Sequence, residues 1–342
     1  MVAMAVHGMP MKPEPFDWTS ATEAQAEARH ALSSIVRAEL FPGDAVPPVE
    51  HLRASSVHLP FFQRKQEWAV WADDGRMLGW ACLDLEYTNS NRHTAECKVE
   101  VDTEHRRRGI GTGLLELVTD AARGDDRSNL DFVAYEGTPA EPFLSQAGAE
   151  NRQVFRHSRL QLDELDRAML QEWVDRAAER AAGYSLVAWD DPTPEEHLEA
   201  FTEVVHVMNT APLDDLEWED DVFTPEEIRS WQDALHARGH AGWVLAARDD
   251  ATGRFAGFTE LGFWPWEPER ADQGDTGVDP DHRSLGLGRW LKAAMLQRVL
   301  RERPDVRYVD TGNAGSNRPM LAINIALGFK PHRIGGFWQL KI

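Results

Sequence analysis

A chain of 342 residues is long for a single core and comfortable for two domains of about 150 residues each. With 42% hydrophobic and 27% charged residues it has the composition of a soluble globular protein, and no apolar run approaches the ~18 residues of a membrane span. A formal net charge of −21 argues against nucleic acid as a partner, because phosphate binding needs a basic surface; it is compatible with a cationic substrate such as an amine, and equally with an acidic background.

The first eleven residues hold four Met but no basic stretch followed by an apolar one, so they read as a tail or an ambiguous start and not as a signal peptide. Residues 68–71 read as a strand, followed by the acidic turn Asp73-Asp74-Gly75 and by Leu78-Gly79-Trp80. The two cysteines, Cys82 and Cys97, are too few for a disulfide framework or a zinc site and read as buried thiols of a cytoplasmic protein with no bound metal. The alternating run Val99-Glu100-Val101 leads through His105 into Arg106-Arg107-Arg108-Gly109-Ile110-Gly111 and a helical stretch at 112–123. Residues 163–182 carry Leu165, Met169, Trp173 and Ala177 every four residues, which predicts a linker helix, residues 163–183, with Gly183 just past its end. A strand at 184–189 then opens the second half.

The second half repeats the first. Arg283-Ser284-Leu285-Gly286-Leu287-Gly288 stands 177 residues after its counterpart, His282 precedes it as His105 does, and Ala256-Gly257-Phe258 follows Leu78-Gly79-Trp80 by 178. Gly328-Phe329 lies 180 residues after Gly148-Ala149. Landmarks in one order at nearly constant spacing mark a duplication, with domains at residues 12–162 and 184–342. Strands alternate with helices in both, which predicts a mixed α/β layer fold.

The Arg-x-x-Gly-x-Gly turn between a strand and a helix has a physical use. Its glycines allow φ > 0 and close approach of a ligand, and the free N–H groups at the helix start form an anion site suited to a pyrophosphate. A P-loop would need Gly-x-x-x-x-Gly-Lys-Ser/Thr, and a dinucleotide turn would follow an early strand; neither fits.

Residues 276–292, with Thr311-Gly312-Asn313-Ala314-Gly315-Ser316-Asn317 and the Leu327-Gly328-Phe329 that ends the next helix, resemble the acyl-CoA motifs of the GNAT superfamily of N-acetyltransferases. Met208-Asn209-Thr210-Ala211-Pro212 resembles an acceptor-side region of that superfamily, and the tandem arrangement resembles mycothiol synthase-like enzymes. The resemblance implies two domains, each a mixed, mostly antiparallel sheet flanked by helices, with strands splaying apart after Val278 and near Thr311. Acetyl-CoA, or another acyl-CoA, would enter that gap, pairing with backbone groups at Gly277 and Val278. The amides from Leu285 through Gly286, Leu287 and Gly288 to Arg289, with Arg283, would hold its pyrophosphate, and Asn313 or Asn317 would reach its pantetheine arm. The first copy keeps Arg106, Gly109 and Gly111 but has no asparagine at 134–139, which suggests a partly degenerate domain beside a catalytic second one.

Many GNAT enzymes place a tyrosine four residues before the last helix's glycine as general acid; here that position is Asn324, and an amide is no acid. Glu260, on a predicted central strand where a charge is unexpected, is the candidate general base or ammonium anchor, with Asp275 as the second candidate. The acidic run at 214–221 reads as a steering patch for a cationic acceptor or as a solvated loop. Phe263, Trp264 and Trp266 read as a wall of the acceptor cleft or as core. The expected activity is CoA-dependent N-acylation of a small-molecule amine, in specialised metabolism; the missing tyrosine also leaves room for an acyl-carrier-protein thioester as donor, or for a CoA-binding regulatory protein.

Overall fold

The computed structural model describes residues 12–342, so the expectation for the first eleven residues lies outside it. In the first repeat, β1 (Glu14–Pro15), α1 (Glu23–Leu40) and α2 (Val49–Val57) precede the meander β2 (Gln63–Trp71), β3 (Met77–Glu86) and β4 (Thr94–Val101). Then come α3 (Ile110–Gly124), β5 (Asn129–Tyr135), α4 (Ala140–Ala147) and β6 (Glu150–Gln161). After α5 (Arg167–Arg180) the order recurs as β7 (Tyr184–Asp190), α6 (Glu195–Val205), α7 (Pro225–Ala237), β8 (Ala241–Asp249), β9 (Phe255–Phe263) and β10 (Arg270–Val278). It closes with α8 (Leu287–Glu302), β11 (Tyr308–Ala314), α9 (Arg318–Leu327) and β12 (Lys330–Lys341).

The strands form one 12-stranded sheet in the order β1-β2-β3-β4-β5-β12-β6-β11-β10-β9-β8-β7. The last strand of each repeat sits in the other's half. β12 pairs antiparallel with β5 from Lys341↔Asn129 to Gly335↔Tyr135, and β6 pairs antiparallel with β11 from Gln161↔Tyr308 to Phe155↔Ala314. β12 and β6 then pair with each other, so the halves are related by an approximate two-fold axis normal to the sheet. Such an axis preserves faces: α3 and α8 lie on one side, and α1, α2, α6 and α7 on the other. The exchange fixes the cores as well. Leu160 and Leu162, in or just after β6, belong to the apolar cluster under α8, while Trp338 and Leu340 of β12 pack on the cluster under α3.

The linker helix α5 is shorter than the periodicity suggests, because Asp166 caps it by accepting from the amides of Ala168 and Met169. It docks on the second half: Met169, Trp173 and Val174 pack with α8. The acidic run at 214–221 keeps Asp214, Asp215, Glu217, Glu219 and Asp220 exposed and also straps onto the first repeat. Asn91 and Glu219 exchange two hydrogen bonds (2.9 and 2.7 Å), Asn91 Nδ2 donates to Asp221 Oδ1 (2.8 Å), and the Glu217 amide donates to Gln339 Oε1 of β12 (2.9 Å). Trp264 and Trp266 pack on His51 of α2 at centroid distances of 4.6 and 5.4 Å, and Phe263 packs on Trp243. The two tryptophans join the halves, and Phe263 belongs to the second half's core.

Candidate functional site

β10 and β11 pair in parallel only from Arg270↔Tyr308 to Gln273↔Thr311, and then diverge. From there to Val278, β10 bonds only to β9, through Thr276↔Thr259, Gly277↔Phe258 and Val278↔Gly257, which leaves its other edge free. The first repeat splays the same way after Glu96↔Asp131. Each half therefore holds a wedge with an unpaired strand edge, the geometry an extended ligand needs to add itself as a strand. Gly277 is fixed by packing: a Cβ there would lie 2.3 Å from Val207 Cγ1 and 3.2 Å from Met208 Sδ, in the 3₁₀ turn His206–Thr210.

Beyond Val278 the chain turns through Ser284 (φ +67°) and Gly286 (φ +89°) into α8. Of the loop's two glycines, Gly286 thus needs its conformational freedom. Gly288 is helical, its open Cβ position 3.5 Å from Ile323 Cδ1, and the second left-handed residue is Ser284. No side chain caps α8, and the first amide to find a backbone acceptor within it is Trp290, bonded to Gly286 O at 3.0 Å. The amides from Leu285 through Leu287 and Gly288 to Arg289 have no backbone acceptor among the described residues and converge at the helix start, an anion site by construction. Arg283 borders it, donating to Val278 O (2.9 Å) and to Thr210 Oγ1 (2.6 Å), with no carboxylate partner among the described residues. Arg289 contributes its amide alone, since its guanidinium lies over Trp173 at 5.3 Å. These residues fit a pyrophosphate.

Glu260 and Asp275 meet at a β-bulge between Gln273 and Thr276. A Cβ on Gly274 would be 3.2 Å from Glu260 Cβ, so the missing side chain lets the carboxylate lie over the bulge. Burial first, then the charges of Asp275 and Asp191, push the Glu260 carboxyl well above the usual range; the Asp275 amide partly offsets this. Asp275 is exposed, yet the protein around it raises its carboxyl too. Asp191, the third acid of this group, is raised to about 6 by burial and by Asp190. Sequence reading missed it because it lies in an ordinary acidic turn, Asp190-Asp191-Pro192.

The sequence model of the acetyltransferase (GNAT) family matches this chain twice, at residues 30–149 and 210–322. The chain belongs to the GNAT acetyltransferase family. It is 31% identical over 244 residues to a mycothiol acetyltransferase of Clavibacter sepedonicus, covering 69% of each chain. To the mycothiol acetyltransferase of Saccharomonospora viridis it is 31% identical over 271 residues, 74% of this chain and 76% of that one. A tandem GNAT protein from the clavulanic acid biosynthesis pathway superposes with a TM-score of 0.77 at 29% identity, covering 96% of this chain and 98% of its own.

Two GNAT wedges in one chain can be compared position by position. In the first, Arg107 (φ +61°) and Gly109 (φ +84°) repeat the loop geometry, and Gly111 is helical like Gly288. Arg106, however, is held by Glu39 of α1 (2.8 Å), which neutralises the charge that Arg283 keeps. Where the second wedge has Asn313 and Asn324, with Asn324 Nδ2 donating to Asn313 Oδ1 at 2.6 Å, the first has the buried apolar pair Ala134 and Leu144. Asn317 instead caps α9, its Oδ1 accepting from the Met320 amide at 3.2 Å. Opposite the bulge, Glu260 and Asp275 are replaced by Cys82 and Lys98.

Among the described residues, no helix is long and apolar enough to cross a membrane.

Proposed function

We propose that this GNAT enzyme moves an acetyl or other acyl group from acyl-CoA to a small-molecule amine, by direct attack in the second repeat. The observation that carries the reading is the unequal pair of wedges. Both have open helix-start amides, but only the second joins them to an unneutralised arginine, Arg283, and to an acidic cluster, Glu260, Asp275 and Asp191. An amine arriving as an ammonium ion must lose a proton before attack, and a carboxylate with a raised pKa is suited to take it near neutral pH. Gly277, Val278 and the loop from Leu285 to Arg289 would hold the donor, with Asn313 toward the thioester. The first repeat supports the sheet and is non-catalytic in this reading. The free thiols Cys82 and Cys97 accord with a cytoplasmic setting.

Calorimetry with acetyl-CoA tests the shared premise. The protein should bind one acetyl-CoA tightly, and Gly286→Glu should lose at least ~100-fold in affinity, because a side chain at φ +89° is strained and its carboxylate repels phosphate at a few ångströms. Absence of binding by the parent protein would sink the reading. A thiol-release assay over an amine panel then separates an enzyme using CoA from one using a carrier-protein thioester, which would stay silent with acetyl-CoA.

A further inference from the structure

Three positions around the wedge change character together between the repeats. In the first they are Leu115, Ala134 and Leu144, all buried in one apolar cluster. In the second, displaced by 177, 179 and 180 residues, they are Lys292, Asn313 and Asn324. Lys292 and Asn324 are each only 2% exposed. The fold plainly accepts leucine at both places, so packing does not require the polar groups, and burying them unpaired is costly.

Their hydrogen bonds run in one direction. Asn324 Nδ2 donates to Asn313 Oδ1, so the Asn313 amide nitrogen remains to donate toward the wedge. Behind it, Asn324 Oδ1 is buried with no partner among the described residues. Lys292 lies one helical turn beyond Gly288, whose face packs on Ile323 of α9, and its Nζ sits over the Phe329 ring at 5.7 Å. The Phe329 amide in turn bonds to the Asn324 carbonyl at 3.0 Å. One unsatisfied acceptor and one ammonium with no ion-pair or hydrogen-bond partner among the described residues thus flank the end of α9, and the long lysine stem gives Nζ the reach to meet Asn324 Oδ1.

We propose that Lys292 is a positioning residue of the second wedge, its ammonium polarising the Asn324–Asn313 amide chain toward the departing sulfur of the acyl donor. The proposal rests on the second repeat being the acyl-CoA site. The acceptor nitrogen bonds to the thioester carbonyl carbon, and its proton passes to the Glu260–Asp275 pair. The C–S electron pair then goes to sulfur, which faces the Asn313 amide and takes a proton from solvent as the thiol leaves. Lys292 neither gains nor loses a proton in the step, and each amide accepts at oxygen and donates at nitrogen, so the charge at the tail, carried in full below about 7, strengthens every bond ahead of it. Burial alone brings the Lys292 ammonium down to about 7, with no carboxylate or second cation from α5, α9, β8, β9 or β10 contributing.

The test is the thiol of bound CoA itself, titrated by its thiolate absorbance in the parent protein and in Lys292→Met. The protein's own thiols stay silent, since burial pushes Cys82 up to about 12 and Cys97 well above its ordinary value. In the parent, bound CoA should ionise below the ordinary thiol range, and Lys292→Met should cut the thiolate fraction about tenfold at pH values below about 7, where the ammonium is charged. Lys292→Met should also bind acetyl-CoA within about threefold of the parent and melt at a higher temperature, because it trades a buried ammonium for an apolar side chain. Equal thiol titrations in the two proteins overturn the proposal, as does a lower melting temperature, which would give Lys292 a structural role. Failure of the parent to bind CoA is a separate result, and it falls on the function proposed above.

Discussion

Glu260→Gln is expected to lower kcat/KM about 100-fold or more near neutral pH while leaving acetyl-CoA affinity within about twofold. The amide keeps the shape of the side chain at the bulge but cannot take a proton from the acceptor ammonium. The parent's rate should rise with pH along a limb that lies well above the ordinary carboxylate range, because burial and the neighbouring Asp275 and Asp191 hold Glu260 protonated to unusually high pH. Asp275→Asn removes one of the negative charges, so Glu260 loses its proton more easily and the limb moves to lower pH, with a smaller change in the plateau. Stability runs the other way. A carboxyl raised in the folded state binds its proton more tightly there than in the unfolded chain, so its stabilising contribution is lost as pH rises through the folded value. Glu260→Gln should therefore melt above the parent at pH 8 and lose that advantage below pH 4. A pH–rate profile with matched thermal melts checks both; an unshifted limb in Asp275→Asn would show that the two carboxylates do not interact.

The duplication is legible in the chain because Gly109 and Gly286 answer to a local need, a left-handed turn before a helix, that few other residues meet. Glu260 stands out for a similar reason, as a charge on a strand whose neighbours Phe258 and Leu261 are apolar and buried. Its coupling to Asp275 is not legible, since it depends on the bulge at Gly274 that breaks the alternation between Gln273 and Thr276. The acidic run looks solvated by composition, and only the folded chain brings Asn91 against Glu219. Lys292 is hidden differently. It follows Leu291 in a helix whose apolar positions recur every four residues, and a lysine there reads as the solvent side until Leu115 is set beside it. Most of all, alternation can mark β6 and β12 as strands but says nothing about which strand each will pair with.

That pairing carries the second large expectation. Residues 12–162 and 163–342, expressed separately, should each fail to fold as stable monomers, while co-expression should restore a heterodimer that binds acetyl-CoA. A first half alone loses β12, and with it the Trp338 and Leu340 side chains that pack beside Leu130 and Phe132. A second half alone loses β6, and with it Leu160 and Leu162 from the core under α8. Burying one leucine is worth about 1.5–3 kcal/mol, so two such residues account for roughly 3–6 kcal/mol of a total domain stability of about 5–15 kcal/mol. The severed ladder adds to that loss. In the second half, Tyr308 through Ala314 of β11 would be left with an open edge at the very place where Asn313 must be held, so the wedge should be disordered even where some structure survives. The alternative outcome is informative: each half could supply its own last strand to its own sheet, β12 pairing with β11 as the intact chain never allows. A monomeric 163–342 fragment with native-like melting and acetyl-CoA affinity would show that the exchange joins two self-sufficient domains. Size-exclusion chromatography with a thermal melt on each fragment, and on the mixture, decides between them.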